Sequence, residues 1–191
     1  VLTSGKSYSN VFHANGGSAS FSVMANTLRG VYGTDVLLAT ANSFTGSVLQ
    51  ADYNKKMAAS MIMPNGLMSR QRTMTGAELK ETVRAFVEGC EGGFVPFNRG
   101  SLPVVSGIAV EVKEAGGSYT LTGITRNGQP LRDDDTVTVT CLAAEKQMEA
   151  LLASESGTPL DGDTWVKNRW RDHVSGGGAA LAEPENYMTL R

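Results

Sequence analysis

Only two histidines, His13 and His173, and two cysteines, Cys90 and Cys141, occur in the chain, and neither pair is close in sequence. No CxxC pair and no HExxH-like spacing is present, so a self-contained metal site is not expected. Two cysteines do not make a disulfide framework. Each reads as a small buried apolar residue, and a bridge between them would need their Cα atoms within about 7 Å. Long apolar runs are missing too. None approaches the roughly 20 residues that cross a bilayer, and "VLTSGKSYSN" has no apolar segment of the kind that marks a signal peptide. Strong net charge is also absent: 17 Lys and Arg against 19 Asp and Glu leave a net charge of −2. That balance provides no electrostatic pull toward nucleic acid. No repeat at a 20–50-residue period and no low-complexity segment is visible.

What remains is an ordinary globular composition of 191 residues, 41% of them apolar, which fits one large domain. The chain opens on Val rather than Met, as an excised or processed fragment would. "SASFSVMANTLRGVY" sets Phe21, Met24, Ala25, Leu28 and Tyr32 at helical spacing, with Ser18 as N-cap and Gly33 as stop. The strand Asp35–Ala41 follows, apolar on both faces as a central strand is. "NKKMAASMIM" reads as a short helix ended by Pro64, and Leu67–Met74 as a strand. "AELKETVRAFVEG" reads as a helix with the stripe Leu79, Val83, Phe86 and Val87.

Alternation with Gly-Gly and Asn-Gly punctuation then predicts a meander of three antiparallel strands, Val105–Lys113, Tyr119–Arg126 and Thr136–Leu142. "AEKQMEALLAS" and "DTWVKNRWRDHV" read as helices separated by a Gly/Pro/Asp loop, and "NYMTLR" as a closing strand. The class is α+β, a mixed sheet with an antiparallel meander flanked by helices. Asp133, Asp134 and Asp135 lack EF-hand spacing and read as a charged turn.

The order of these pieces resembles the C-terminal domain of the 5′-nucleotidase and UDP-sugar hydrolase family. The motifs are "TDVLLATAN", "TGAELKE", "VSGIAVEV" and "RNGQPL", in that order, and the likeness spans about Ser18 to Arg191. It implies a substrate-recognition domain for nucleotides, nucleosides or nucleotide sugars. It also implies a separate N-terminal metallophosphatase domain of the same parent chain, which carries two divalent metal ions and performs the hydrolysis. Residues 1–17 would be the linker from that domain, and the parent would work in the bacterial cell envelope or outside the cell. No catalytic residue and no metal ligand is expected in this chain.

The resemblance also places the candidate contacts. Asn42 matches the family's Asn at the end of its strand; its amide both donates and accepts, suiting a ribose or base edge. The family Arg of the following turn falls instead at Thr45 or Ser47, and a hydroxyl cannot reproduce a guanidinium's paired bonds to phosphate. A family stacking aromatic becomes Asn65. The other has no counterpart, since Leu142 and Ala143 lead straight into a predicted helix.

Asn42 thus reads as a ligand contact or as a cap of its own loop. Phe44 reads as a replacement stacking ring or as a core plug. Arg70 and Arg72, flanking Gln71 on a strand, point to one face and either restore phosphate contacts or sit solvated. In "FVPFNRGSLP", Phe94 and Phe97 read as loop anchors or as functional rings, and at least one of Trp165 and Trp170 belongs to the core. A pocket of Asn42, Ser43 and Thr45 holds no charge between Val36 and Gln50. It is expected to suit nucleosides or neutral sugars, with nucleotides gaining little from their phosphates unless Arg70 or Arg72 reaches in. The alternative role is a degenerate structural or neutral-ligand-binding module.

Overall fold

The computed structural model describes residues 2–62, 67–88, 103–144, 158–176 and 180–191. Its centre is helix α1, Ala19–Tyr32, followed at once by a wholly buried strand, β4, Val36–Thr40. Both ends of α1 are set by sequence. The Ser18 hydroxyl accepts from the Phe21 amide, and Gly33 closes the helix at φ 67° with its N–H on the Arg29 and Gly30 carbonyls. The helix is buried on its polar side as well as its apolar one. Ser22 Oγ donates to the Glu185 carbonyl at 2.9 Å and Asn26 Nδ2 to the Glu183 carbonyl at 2.8 Å. The C-terminal segment thus lies along the polar stripe of α1 and satisfies it.

Before α1 come three short strands, β1 Leu2–Ser4, β2 Phe12–His13 and β3 Gly17–Ser18. After β4 come β5 Ala51–Tyr53, helix α2 Lys55–Ala59, β6 Leu67–Thr75 and helix α3 Gly76–Glu88. Then follow β7 Pro103–Ser106, β8 Ala109–Ala115, β9 Ser118–Arg126, β10 Gln129–Pro130, β11 Thr136–Ala144, β12 Thr158–Trp165, helix α4 Val166–Ser175 and β13 Met188–Leu190. A five-stranded sheet runs β12-β6-β11-β4-β7 and a four-stranded sheet runs β10-β9-β8-β13. The first is mixed: β11 is parallel to β4 but antiparallel to β6. The architecture is the expected α+β one.

Three details differ from the sequence reading. The antiparallel meander exists, but it is β8, β9 and β10. The segment read as one strand, Val105–Lys113, breaks at Gly107 and divides between the two sheets. Gly107 has φ 81°, and a Cβ there would lie 2.0 Å from the Asp35 carbonyl oxygen, so only glycine lets the chain pass from β7 to β8. Likewise Thr136–Leu142 does not extend the meander. Val137, Val139, Thr140, Cys141 and Leu142 are all buried, so the strand needs cover on both faces and takes the centre of the five-stranded sheet.

The third difference is β12, which occupies much of a stretch read as loop. Its pairing with β6 is irregular, with register shifts between Pro159 and Asp161 and between Asp161 and Thr164, so no clean alternation marks it. The predicted helix over 144–154 and the Phe94–Pro103 loop lie almost wholly outside the described residues, as does Cys90. Burial pushes the Cys141 thiol up to about 12, which makes it a core residue rather than a nucleophile.

Candidate functional site

The uncharged loop after β4 is occupied by the chain itself. Ala41–Ser43 form one 3₁₀ turn, and from there the backbone is tied on two sides. On one side Phe44 pairs with Ile62 as an isolated bridge, and Thr45 donates its amide to the Met61 carbonyl and its hydroxyl to the Ser60 carbonyl. On the other side the Tyr8 amide donates to the Val48 carbonyl at 2.7 Å and the Gln50 amide to Ser7 Oγ at 2.8 Å. The Asn10 amide donates to Ser47 Oγ at 3.1 Å. Ser20 of α1 closes the ring: its hydroxyl donates to the Gly46 carbonyl and accepts from the Val48 amide. The Asn/Ser/Thr/Gly composition therefore serves to seat residues 7–10 against α1. Residues that the sequence leaves as a linker are part of this clamp, since β1 also pairs antiparallel with β5.

Of the six candidate contacts, Phe44 is 4% exposed, its ring 5.9 Å from that of Phe21. This is a correction to the stacking-ring reading: the ring fills the core and has no face to offer. Thr45 is exposed, but both its polar groups are used as described. Asn42 is exposed at the carboxyl end of β4, next to Ser43, whose hydroxyl is buried with no hydrogen-bond partner. Asn65 lies outside the described residues.

Arg70 and Arg72 do share one face, as two positions apart on β6 require. The register carries them away from Asn42, however. Arg70 pairs with Cys141, level with Leu38, and Arg72 with Val139, level with Val36. Asn42 lies beyond the far end of β4, which puts the Arg70 and Asn42 backbones roughly 16 Å apart across two strand spacings. Among the described residues, the structure thus does not gather the candidate contacts into one cleft.

A charged cleft of about 370 Å³ lies at the opposite, amino end of β4, lined by Arg29, Asp35, Gly107, Arg126, Asn127 and Glu185 among others. Arg126 Nη2 donates to Asp35 Oδ1 at 2.6 Å, while the Thr138 amide and hydroxyl both donate to Asp35 Oδ2 at 2.9 Å. Arg29 Nε donates to Ser106 Oγ at 2.8 Å. Sequence reading missed this cluster because its residues come from five separate segments, with Arg29 in a helix, Asp35 and Thr138 at strand ends, Arg126 at a turn and Glu185 near the C-terminus. The pairing of Arg126 on β9 with Asp35 before β4 joins the two sheets, so the cluster is a tie between them.

Burial pushes the Asp35 carboxyl up, but its Thr138 bonds and then Arg126 and Arg29 outweigh that, leaving it below the usual range. A lowered folded pKa stabilises above the unfolded value, about 3.9, and that contribution is lost as pH falls through the folded value. Asp35→Asn is therefore expected to cost more at pH 6 than at pH 3. Urea unfolding of both proteins at the two pH values measures the difference, and an equal cost at both would contradict the assignment.

Among the described residues, no group of three or more His, Cys, Asp and Glu could hold a metal ion. No helix among them is long and apolar enough to cross a membrane.

No protein-family model and no curated protein matches the sequence. Solved structures do. A 5′-nucleotidase precursor from Thermus thermophilus aligns over 100% of this chain with a TM-score of 0.72 at 13% identity. The NAD nucleotidase of Haemophilus influenzae aligns over 100% with a TM-score of 0.65 at 15% identity. The sulfate thiohydrolase SoxB of Thermus thermophilus aligns over 91% with a TM-score of 0.64 at 13% identity. This chain covers 39%, 38% and 32% of those proteins, so it spans about two fifths of their length or less. In a single chain this mixed sheet, its β8–β10 meander and the central α1–β4 unit make up the fold of the C-terminal domain of the 5′-nucleotidases.

Proposed function

We propose that this chain is the substrate-recognition domain of a 5′-nucleotidase-type hydrolase, binding a nucleotide, nucleoside or nucleotide sugar and not catalytic alone. The observation that carries the reading is the alignment of the whole chain with only part of larger proteins, two of which are nucleotidases. By this reading a metallophosphatase domain of the same parent holds the two divalent ions and does the chemistry. The parent would act in the cell envelope or outside the cell. Residues 1–17 would lead from the catalytic domain into this one through the clamp around Tyr8 and Val48. Asn42, exposed at the carboxyl end of β4, stands where open sheets with parallel strands commonly receive ligands.

A second reading, a structural or neutral-ligand module of an envelope protein, is favoured by the occupied loop. Ser47, Val48 and Gln50 spend their polar groups on residues 7–10. The two readings differ in a titration. The recognition domain is expected to bind AMP or adenosine in the calorimeter with sub-millimolar affinity, whereas a structural module gives no heat with either. Mixed with nucleotides and Mn²⁺ or Zn²⁺, the chain alone is expected to release no phosphate. Turnover that scales with its concentration and survives repurification would overturn that expectation.

A further inference from the structure

The cleft at the amino end of β4 holds more polar capacity than the tie between the two sheets consumes. It forms where α1 contributes Arg29, the residue before β4 is Asp35, and β7 crosses into β8. The β9–β10 turn adds Arg126 and Asn127, and the segment ahead of β13 adds Glu185 and Asn186. A volume of about 370 Å³ lies within the range of small-molecule sites.

Asp35 is fully used. One carboxylate oxygen accepts from Arg126, and the other accepts from both the amide and the hydroxyl of Thr138. Arg126 is only partly used. Its side chain is 28% exposed, and among the described residues its guanidinium donates through Nη2 alone, which leaves Nε and Nη1 unspent. Glu185 is the converse case. Its carboxylate lies 3.9 Å from Arg29 Nη2, beyond hydrogen-bonding distance, and accepts no hydrogen bond among the described residues. Nor do the side-chain amides of Asn127 and Asn186 make one there.

Two arginines and two carboxylates leave the cleft without net charge. A dianion would meet the Glu185 carboxylate as well as the open guanidinium, and a cation would meet Arg126 as well as Glu185. The complementary ligand carries both signs.

We propose that this cleft binds a small zwitterion, a free amino acid or a dipeptide, whose carboxylate takes the open donors of Arg126 while its ammonium group sits on Glu185. The amides of Asn127 and Asn186 orient it between them. The site stands apart from the carboxyl end of β4 and does not depend on nucleotide recognition. Its ligand ties α1, the β9–β10 turn and the C-terminal segment together, so binding stabilises the fold.

Alanine and glycylglycine, titrated separately into the labelled chain, are expected to shift the Arg126 Nε–H and the Asn127 and Asn186 side-chain amides saturably. Both should raise the melting temperature, and the tighter of the two identifies the source of the ligand. Acetate and ethylammonium each carry half of the charge pattern and should bind about tenfold more weakly, the scale of one lost charged contact. Glu185→Gln leaves the Asp35–Arg126 pair intact and should weaken the zwitterion by about tenfold, with acetate unaffected. Asn127→Gly keeps the turn at φ 51° and should weaken binding without lowering the melting temperature. Absence of a saturable shift with either zwitterion overturns the proposal. So does a Glu185→Gln variant that binds as the parent does, or inorganic phosphate bound as tightly as the zwitterion, which would make the cleft a plain anion site. None of these results touches the nucleotide-recognition reading, whose own test is AMP at the other end of the sheet.

Discussion

Gly107→Ala is expected to destabilise the domain by about 3 kcal/mol or more, among the largest effects of any single methyl group added to it. Two separate terms combine. The residue has φ 81°, a region an L side chain enters only at a cost. The new Cβ would also sit 2.0 Å from the Asp35 carbonyl oxygen, which is backbone and cannot swing aside. Relief would require β7 and β8 to separate, and β7 pairs with β4 along Leu37–Thr40. Gly116, also at positive φ, is the control: nothing lies within 4 Å of its Cβ position, so Gly116→Ala should carry only the conformational term. Chemical denaturation of the two variants beside the parent measures the contrast. Equal, small losses would mean that the β7–β8 crossing is not as tight as described.

Trp170→Ala is expected to cost about 3–5 kcal/mol, the range for deleting a large buried aromatic. Trp170 is fully buried, and its indole Nε1 donates to the Ala58 carbonyl at 2.8 Å, which fastens α4 to α2. Removing the ring leaves a cavity and an unsatisfied carbonyl. Its exposed counterpart should behave otherwise, with Trp165→Ala changing stability by no more than about 0.5 kcal/mol. Thermal unfolding of both variants tests the pair, and a comparable loss for the two would show that the tryptophans are not divided between core and surface.

The four motifs that made the fold recognisable turn out to be parts of its framework, which explains why the architecture could be read further than the site. In "TGAELKE" the Thr75 hydroxyl accepts from the Glu78 amide while Glu78 accepts from the Thr75 amide at 2.7 Å, a reciprocal cap at the start of α3. Gly76 of the same motif lets α3 approach the Arg132 carbonyl, which a Cβ would meet at 1.8 Å. In "RNGQPL" Asn127 and Gly128 have φ 51° and 75°, the mirror-image turn that joins β9 to β10. Periodicity and capping are local, so α1, β4, β6 and α3 could be bounded from sequence to within one or two residues.

Partner choice between strands is not local. The neighbours of β11 follow from burial on both its faces, and β12 from pairing with β6 despite two register shifts, neither of which a single segment records. The same limit applied to the site. Asn42 and the polar loop were legible, but the segment that fills the loop comes from residues 7–10, far off in sequence. Trp165 was read as one of a helical pair, whereas the structure makes it the last residue of β12, paired with Met68 of β6. Only the signal that two tryptophans five apart cannot share a helix face pointed toward separate roles.

The central claim is that the carboxyl end of the five-stranded sheet recognises a nucleotide. Amide and indole chemical-shift mapping of the labelled chain during titration with AMP tests it most directly. The account predicts saturable shifts centred on Asn42 and the neighbouring carboxyl ends of β4 and β11, with the Asp35–Arg126 cluster at the other end of β4 unmoved. The absence of any saturable shift, or shifts confined to the Asp35–Arg126 cleft, would contradict it.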